Sequence, residues 1–213
     1  MIYFAGVFSS RVFGRRQVIL TVIGFLVCLL CASSFRAEAQ TSQPSPVITA
    51  EFNLVDHTGK SVSHRDFRGL YMLVFLGYTF CPDICPTDLQ AMSDTLDLLG
   101  EKAKRIQPVF ITVDPERDTV SELKEFVSNF HPRLIGLTGS MQQTRSAATA
   151  FGAKYFKVYA APGSDNDQDD NDFYLINHSA ATYLIGPDGI YLGHFPHGSD
   201  PQGMADELAS VIE

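Results

Sequence analysis

Two uninterrupted apolar runs constrain the fold of this chain more than any other feature. They are YMLVFL at Tyr71–Leu76 and PVFITV at Pro108–Val113. Runs of this kind are typical of strands that are buried on both faces of a sheet. Between them, apolar residues recur at helical spacing from Leu89 to Leu99, and Gly100 can end that helix. The pattern predicts a strand, a helix and a second strand in succession.

The rest of the chain continues this alternation. Thr119–Glu122 has the sequence of a capping box and opens a helix, and a weaker helix is predicted over about 142–151. KYFKVY is a strand candidate, ATYLIGPDGIYLGHF predicts a hairpin that turns at Pro187–Gly189, and a terminal helix follows. We therefore predict an α/β domain with a mixed central sheet flanked by helices, an arrangement that resembles the thioredoxin fold.

The first part of the chain has the features of an export signal. Three arginines between Arg11 and Arg16 precede an apolar run, and AEAQ at Ala37–Gln40 follows it. This order is typical of a secretory signal peptide. We expect a signal peptide or membrane anchor over 1–39, a flexible tether over 40–50 and the folded domain over 51–213. The domain is expected in the periplasm, either free or tethered to the inner membrane through an uncleaved leader.

Charge and composition narrow the classes of partner. The formal net charge of −8 argues against nucleic acid, because phosphate backbones are bound by basic patches. The acidic run SDNDQDDND at Ser164–Asp172 is too polar for a core, and we interpret it as a solvated loop rather than a cation site. Apolar residues make up 45% of the chain, so the domain is expected to fold without a disulfide or a metal.

Cysteines supply the first candidate site. Of the four cysteines, Cys28 and Cys31 lie in the leader, which leaves Cys81 and Cys85 in the folded domain. Proline is favoured in the first turn of a helix, so Pro86 predicts a helix that starts there, with Cys85 immediately before its first residue. Thiolates are stabilised at such a position. The three-residue spacing leaves metal binding, redox exchange and a structural disulfide equally open.

A third ligand would decide between these roles, and the chain has six histidines. His178 comes just before a predicted buried strand, where it is either an ordinary surface residue or a ligand. The others fall in polar stretches, at a helix end or beyond the hairpin, and we expect surface or capping roles for them: His57, His64, His131, His194 and His197.

Four motifs in order resemble the Sco/SenC family of copper-binding, thioredoxin-like cytochrome c oxidase assembly proteins. They are GYTFCPDICPTDL, FITVDPERDT, FHPRLIGLTGS and NHSAATYLIGPDG, and the resemblance extends from about Glu51 to Glu213. It implies that Cys81, Cys85 and His178 bind copper. Two soft thiolates select Cu(I), and an added imidazole also makes Cu(II) acceptable. The absence of proline between Asn177 and Gly186, where thioredoxins carry a cis-proline, favours a ligand role for His178.

The resemblance implies a periplasmic metallochaperone that supports assembly of the copper centre of cytochrome c oxidase. Its partners would be the copper-site subunit of a respiratory oxidase and a thiol reductase that keeps Cys81 and Cys85 reduced. The alternative is an enzyme, a thiol–disulfide reductase in which the two cysteines cycle through a disulfide and His178 matters little. A peroxide-reducing or redox-sensing thioredoxin relative is the least favoured, because of the spacing and His178.

Several residues near the motif have weaker assignments. Asp114 ends a predicted central strand, and we expect a turn or cap there, with a role beside the metal ligands or in docking as the alternative. Asp83 and Asp88 flank the cysteines and are candidates for a negative rim. Tyr78 and Phe80 are candidates for an apolar docking patch.

Overall fold

The computed structural model describes residues 48–159 and 173–212 of the 213-residue chain. The predicted leader, most of the tether and the acidic run at Ser164–Asp172 lie outside the described residues. No helix within the described ranges is long and apolar enough to cross a membrane.

A seven-stranded mixed sheet forms the centre of the domain, with the strand order β2-β1-β5-β4-β3-β8-β9. Strands β3, β4 and β5 run parallel, whereas β1 and β8 pair antiparallel with their neighbours. The strands are β1 Asn53–Asp56, β2 Ser61–Ser63, β3 Tyr71–Gly77, β4 Ile106–Thr112, β5 Ile135–Thr138, β8 Ala181–Ile185 and β9 Tyr191–Pro196. The predicted α/β class with a mixed central sheet is confirmed.

Within residues 48–159 and 173–212, four α-helices pack around this sheet: α1 Ile84–Leu99, α2 Val120–Val127, α3 Met141–Ala150 and α4 Pro201–Val211. Helices α1 and α4 pack against each other, α2 packs on β5, and α3 packs on β1 and β4. As the sequence predicts, the side chain of Thr119 caps α2 by accepting from the Glu122 amide. Ser140 and Gln143 form a complete capping box at α3.

Both predicted buried strands lie at the centre of the sheet. All seven residues of β3 are buried, and β4 pairs with it in a parallel register from Tyr71 opposite Ile106 to Gly77 opposite Thr112. Because every β3 side chain is enclosed on one face or the other, the strand is apolar throughout rather than alternating. The loop that carries the cysteines leaves the carboxyl end of this strand.

Helix α1 begins at Ile84, two residues before the predicted start at Pro86. The first turn of a helix has amides without intrahelical partners, so a proline is tolerated at its third residue as well as its first. Cys85 therefore lies inside the first turn rather than before it. The prediction of a cysteine at a helix N-terminus holds, with a shifted boundary.

A second, two-stranded sheet stands apart from the central one. It consists of β6 Tyr155–Tyr159 and β7 Tyr174–His178, which pair antiparallel from Tyr155 opposite His178 to Tyr159 opposite Tyr174. The sequence predicts β6 but not β7. It also misses β1, β2 and β5, each of which has only three or four residues. Such short strands carry too few residues for a period to show.

We expect burial to decide the cost of truncating leucines in α1. Leu89 is 1% exposed and Leu98 is 53% exposed, so the two offer a matched pair on one helix. Leu89→Ala should lower the free energy of unfolding by about 2–5 kcal/mol, because it leaves a cavity under the sheet. Leu98→Ala should change it by less than about 0.5 kcal/mol. Urea unfolding measures both, and equal costs would contradict the packing described here.

Candidate metal centre

The two cysteines lie together at the carboxyl end of β3. Cys85 is fully buried in the first turn of α1, and Cys81 is half-buried in the loop before it. The Cys85 amide donates to the Cys81 sulfur at 3.5 Å, so the open end of the helix faces that sulfur. Neither cysteine is part of a disulfide.

Gly77 permits this arrangement because it has no side chain. A Cβ at Gly77 would lie 2.6 Å from the Cys85 sulfur and 2.9 Å from the Phe75 ring. Any larger residue would push the sulfur out of its place. The sequence signal for this residue is a glycine directly after the apolar run of β3, and sequence reasoning passed over it.

His178 approaches the same point from the end of β7. Its Nε2 atom lies 3.4 Å from the Cys85 sulfur, and its Nδ1 atom lies 3.1 Å from the Ser179 carbonyl. A carbonyl can only accept, so Nδ1 donates to Ser179, and Nε2 is the ring nitrogen that faces the sulfur. The rings of Phe75 and Tyr78 contact the imidazole edge-on at centroid distances of 6.0 and 5.9 Å.

The topology explains why these residues meet. Strand β8 pairs antiparallel with β3, so that Thr182 near the start of β8 lies opposite Phe75 near the end of β3. His178 precedes β8 by three residues and therefore emerges beside the cysteine loop. The Cys81 and Cys85 sulfurs and a His178 ring nitrogen all lie within 4.8 Å of one another. The three predicted site residues are thus brought together, in a group that could hold a metal ion.

The two thiols differ in their readiness to ionise. Hydrogen bonding from the Cys85 thiol, with a further contribution from His178, lowers the pKa of Cys81 to about 3. The same bond, the burial of the side chain and the nearby Cys81 charge raise the pKa of Cys85. One sulfur is therefore held as a thiolate and the other as a thiol, which is the state from which a metal would displace a proton.

A cleft of about 350 Å³ lies over the group and opens to solvent. Its lining includes Cys81 and His178, the acidic Asp83, and the apolar Val158 and Leu175 from the two-stranded sheet. The site is therefore accessible on the side of the half-buried Cys81 and closed on the side of the buried Cys85.

The weaker candidates around the motif are only partly placed at this surface. Asp83 is exposed at the cleft, whereas Asp88 is buried and accepts a hydrogen bond from His197 at 2.8 Å, so it forms no rim. Phe80 is 51% exposed. Tyr78 is buried, and its hydroxyl accepts from the Ile176 amide at 3.2 Å, so it supports β7 rather than a docking patch.

The other histidines have partners away from the cysteine group. Nδ1 accepts a backbone amide in His57, His64 and His131. His194 lies in β9 and pairs with the Tyr191 hydroxyl, and His197, just after β9, pairs with Asp88. Among the described residues, the metal-ligand group includes His178 and none of these five.

Asp114 makes the turn that the sequence predicts and also reaches another part of the fold. Its carbonyl accepts from the Asp118 amide at 2.9 Å, and its own amide donates to Thr112 at 2.8 Å. Its carboxylate accepts from the Tyr174 hydroxyl at 2.8 Å and pairs with Arg117. Sequence reasoning did not single out Arg117 or Tyr174, although Arg117 lies in the VDPERDT motif.

Comparison with known proteins finds relatives that share the name SCO2. The chain is 38% identical over 165 residues to the mitochondrial SCO2 homolog of Danio rerio, an alignment that covers 76% of this chain and 56% of that protein. It is 40% identical over 161 residues to an SCO2-like protein of Rickettsia felis, covering 76% of this chain and 75% of that one. The chain thus spans just over half of the zebrafish relative's length.

Solved structures match the same region. Copper-bound ScoI of Arabidopsis thaliana has a TM-score of 0.67 at 34% identity, covering 76% of this chain and 96% of that one. Copper-bound ScoI of Bradyrhizobium japonicum has the same score and identity, with 76% and 98% coverage. Copper-bound yeast Sco1 has a TM-score of 0.66 at 30% identity, with 78% and 88% coverage.

The thioredoxin-like fold, the Cys-Cys-His group and these relatives agree on one family. Its model, described as SCO1/SenC, matches residues 40–213, which is most of the chain. The chain belongs to the SCO1/SenC family.

Proposed function

We propose that this chain is a periplasmic copper metallochaperone that binds one copper ion through Cys81, Cys85 and His178. The observation that carries the proposal is the meeting of two sulfurs and an imidazole nitrogen within 4.8 Å, on a fold that copper-bound Sco proteins share at 34% identity. Copper is cargo here, because the group is accessible and not enclosed by a fourth ligand from the described residues.

The chemistry of the donor set suits reversible copper binding. Soft thiolates favour Cu(I), and the imidazole makes the site acceptable to Cu(II) as well. With three protein ligands, one position stays open to a thiolate of a recipient protein, which can enter before a resident ligand leaves. The half-buried Cys81 faces the cleft and is the ligand that an incoming thiolate reaches first.

The recipient we propose is the copper-site subunit of a respiratory cytochrome oxidase, on the strength of family membership. The location is proposed from the leader sequence: residues 1–39 export the domain and are then cleaved or kept as a membrane anchor, and 40–50 serve as the tether. A thiol reductase would restore Cys81 and Cys85 after oxidation, because a disulfide removes both thiolate ligands.

The second candidate is a thiol–disulfide reductase, and the unequal thiols favour it. The Cys81 thiolate would attack a substrate disulfide and release one substrate thiolate. Cys85 would then lose its proton and attack Cys81, which releases the second substrate thiol and leaves a Cys81–Cys85 disulfide. A low-pKa, accessible thiolate beside a buried thiol suits this sequence of steps.

Copper titration separates the two candidates. The purified, reduced protein should bind about one copper per chain, and Cys81→Ser and Cys85→Ser should each weaken binding by more than about 100-fold, since they remove a ligand. His178→Ala should weaken Cu(II) binding more than Cu(I) binding. Competition with chelators of known affinity measures each constant.

His194→Ala is the matched control, because His194 is an exposed histidine outside the metal group. It should bind copper as the unaltered protein does. Normal binding by His178→Ala would refute the ligand assignment. If the unaltered protein binds no copper but reduces a model disulfide, the reductase candidate replaces the chaperone.

The unequal thiols predict selective alkylation. Only thiolates react readily with iodoacetamide, and the pKa of Cys81 is lowered to about 3 while that of Cys85 is raised. At about pH 5, peptide mapping by mass spectrometry should find label on Cys81 and not on Cys85. Cys85→Ala removes the donating thiol and should slow the labelling of Cys81. Equal labelling of both cysteines would contradict the assignment.

Gly77 offers a test of the site's geometry that leaves every ligand in place. Gly77→Ala puts a Cβ against the Cys85 sulfur and should weaken copper binding by about tenfold, a typical cost of disturbing a ligand's support. Gly193→Ala is the control, since nothing lies within 4 Å of a Cβ at that strand glycine. Equal copper affinities in the two variants would show that the Gly77 contact does not position Cys85.

A further inference from the structure

The strand that carries His178 needs support from outside the central sheet. Among the strands of the described ranges, β7 pairs only with β6, in the separate two-stranded sheet. Its carboxyl end is held because β8 begins three residues after His178 and pairs with β3. The position of His178 therefore also depends on what holds Tyr174, at the other end of the strand.

Arg117 holds that amino-terminal end. Its Nη1 atom donates to the Tyr174 carbonyl at 3.0 Å, and its guanidinium carbon lies 3.8 Å from the centroid of the Tyr174 ring. Its Nε atom donates to Asp114, which also accepts from the Tyr174 hydroxyl at 2.8 Å. Asp114, Arg117 and Tyr174 therefore form a closed triangle of charge-assisted and aromatic contacts.

The triangle is anchored in the rigid centre of the molecule. Asp114 is 1% exposed and follows β4, where its amide donates to the Thr112 hydroxyl at 2.8 Å. Thr112 pairs with Gly77 at the end of β3. The contacts of Arg117 thus connect β7 to the part of the central sheet from which the cysteine loop emerges.

The same guanidinium also touches the cysteine loop. Its carbon lies 4.9 Å from the Phe80 ring centroid and 5.7 Å from the Tyr78 ring centroid. Tyr78 in turn accepts from the Ile176 amide of β7 and contacts the imidazole of His178. The buried Nη2 atom of Arg117 has no hydrogen-bond partner in the described structure. The guanidinium group that carries it packs on three aromatic rings.

We propose that Arg117 is a positioning residue that sets His178 against the two cysteines and so makes the site competent for Cu(II). The inference rests on the proposed copper function. The proposal follows because the two copper ions depend on different ligands. The two thiolates suffice to bind Cu(I), whereas Cu(II) binding depends on the added imidazole. A loosened β7 would move His178 and leave Cys85 in place in α1 and Cys81 in the loop before it.

Arg117→Lys is the decisive variant. Lysine keeps a positive charge beside the buried Asp114 but lacks the planar fork that reaches Asp114 and the Tyr174 carbonyl together. Cu(II) affinity should fall by about 10- to 100-fold, as for other residues that orient a ligand, whereas Cu(I) affinity should fall by less than about threefold. Electron paramagnetic resonance should show weakened nitrogen coupling from the imidazole, in the direction of the His178→Ala spectrum.

Arg133→Lys is the matched control. Arg133 is also partly buried and also donates to a backbone carbonyl, that of Ala103, in another part of the fold. It should leave both copper affinities and the nitrogen coupling unchanged. Tyr174→Phe is a milder second variant, which keeps the ring and removes the hydroxyl that donates to Asp114. It should weaken Cu(II) binding by about fivefold, the value of one hydrogen bond.

The outcomes distinguish this inference from the proposed function. If the unaltered protein binds no copper, or the cysteine variants bind it normally, the proposed function fails. If those tests succeed but Arg117→Lys and Tyr174→Phe keep full Cu(II) affinity, the positioning role is wrong. Equal losses of Cu(I) and Cu(II) affinity in Arg117→Lys would also overturn it, because they would indicate general loosening of the fold.

Discussion

The antiparallel pairing of β8 with β3 is the constraint on which the site depends. Strand β3 ends where the cysteine loop begins, and its pairing places the start of β8 beside that end. His178 lies three residues before β8, so a residue 93 positions away along the chain comes within hydrogen-bonding distance of Cys85. Without this pairing the dithiol would remain, but its third partner would not be at this edge of the sheet.

Within the proposed copper site, one residue is buried and two lie at the open cleft. Cys85 and the contact surface at Gly77 belong to the packed core, where movement is costly. Cys81 and His178 lie at the open cleft, and His178 is carried by a two-stranded sheet outside the central one. In the proposed site, Cys85 is therefore the rigid ligand and Cys81 and His178 are the two that a partner can reach, and we propose that Arg117 limits the freedom of the imidazole.

Much of this could be predicted from the sequence because the relevant signals are local. The apolar runs of β3 and β4, the cap at Thr119 and the proline after Cys85 each act within a few residues. The predicted start of α1 was two residues late, because proline fits several positions of a first turn and the helix begins at Ile84. The sequence does not predict β5 and β7, because the formation of these strands depends on neighbours distant in sequence.

The sequence by itself determined the α/β class, the placement of Cys85 at a helix N-terminus and, through four ordered motifs, the family. The resemblance already pointed to His178, but only the tertiary structure shows it beside the cysteines, because strand register is a long-range property that a linear pattern does not contain. It also decided that Cys81 and Cys85 ionise unequally and that Arg117 connects Asp114 to β7. These properties arise from burial and contact between segments, which exist only once the chain has folded.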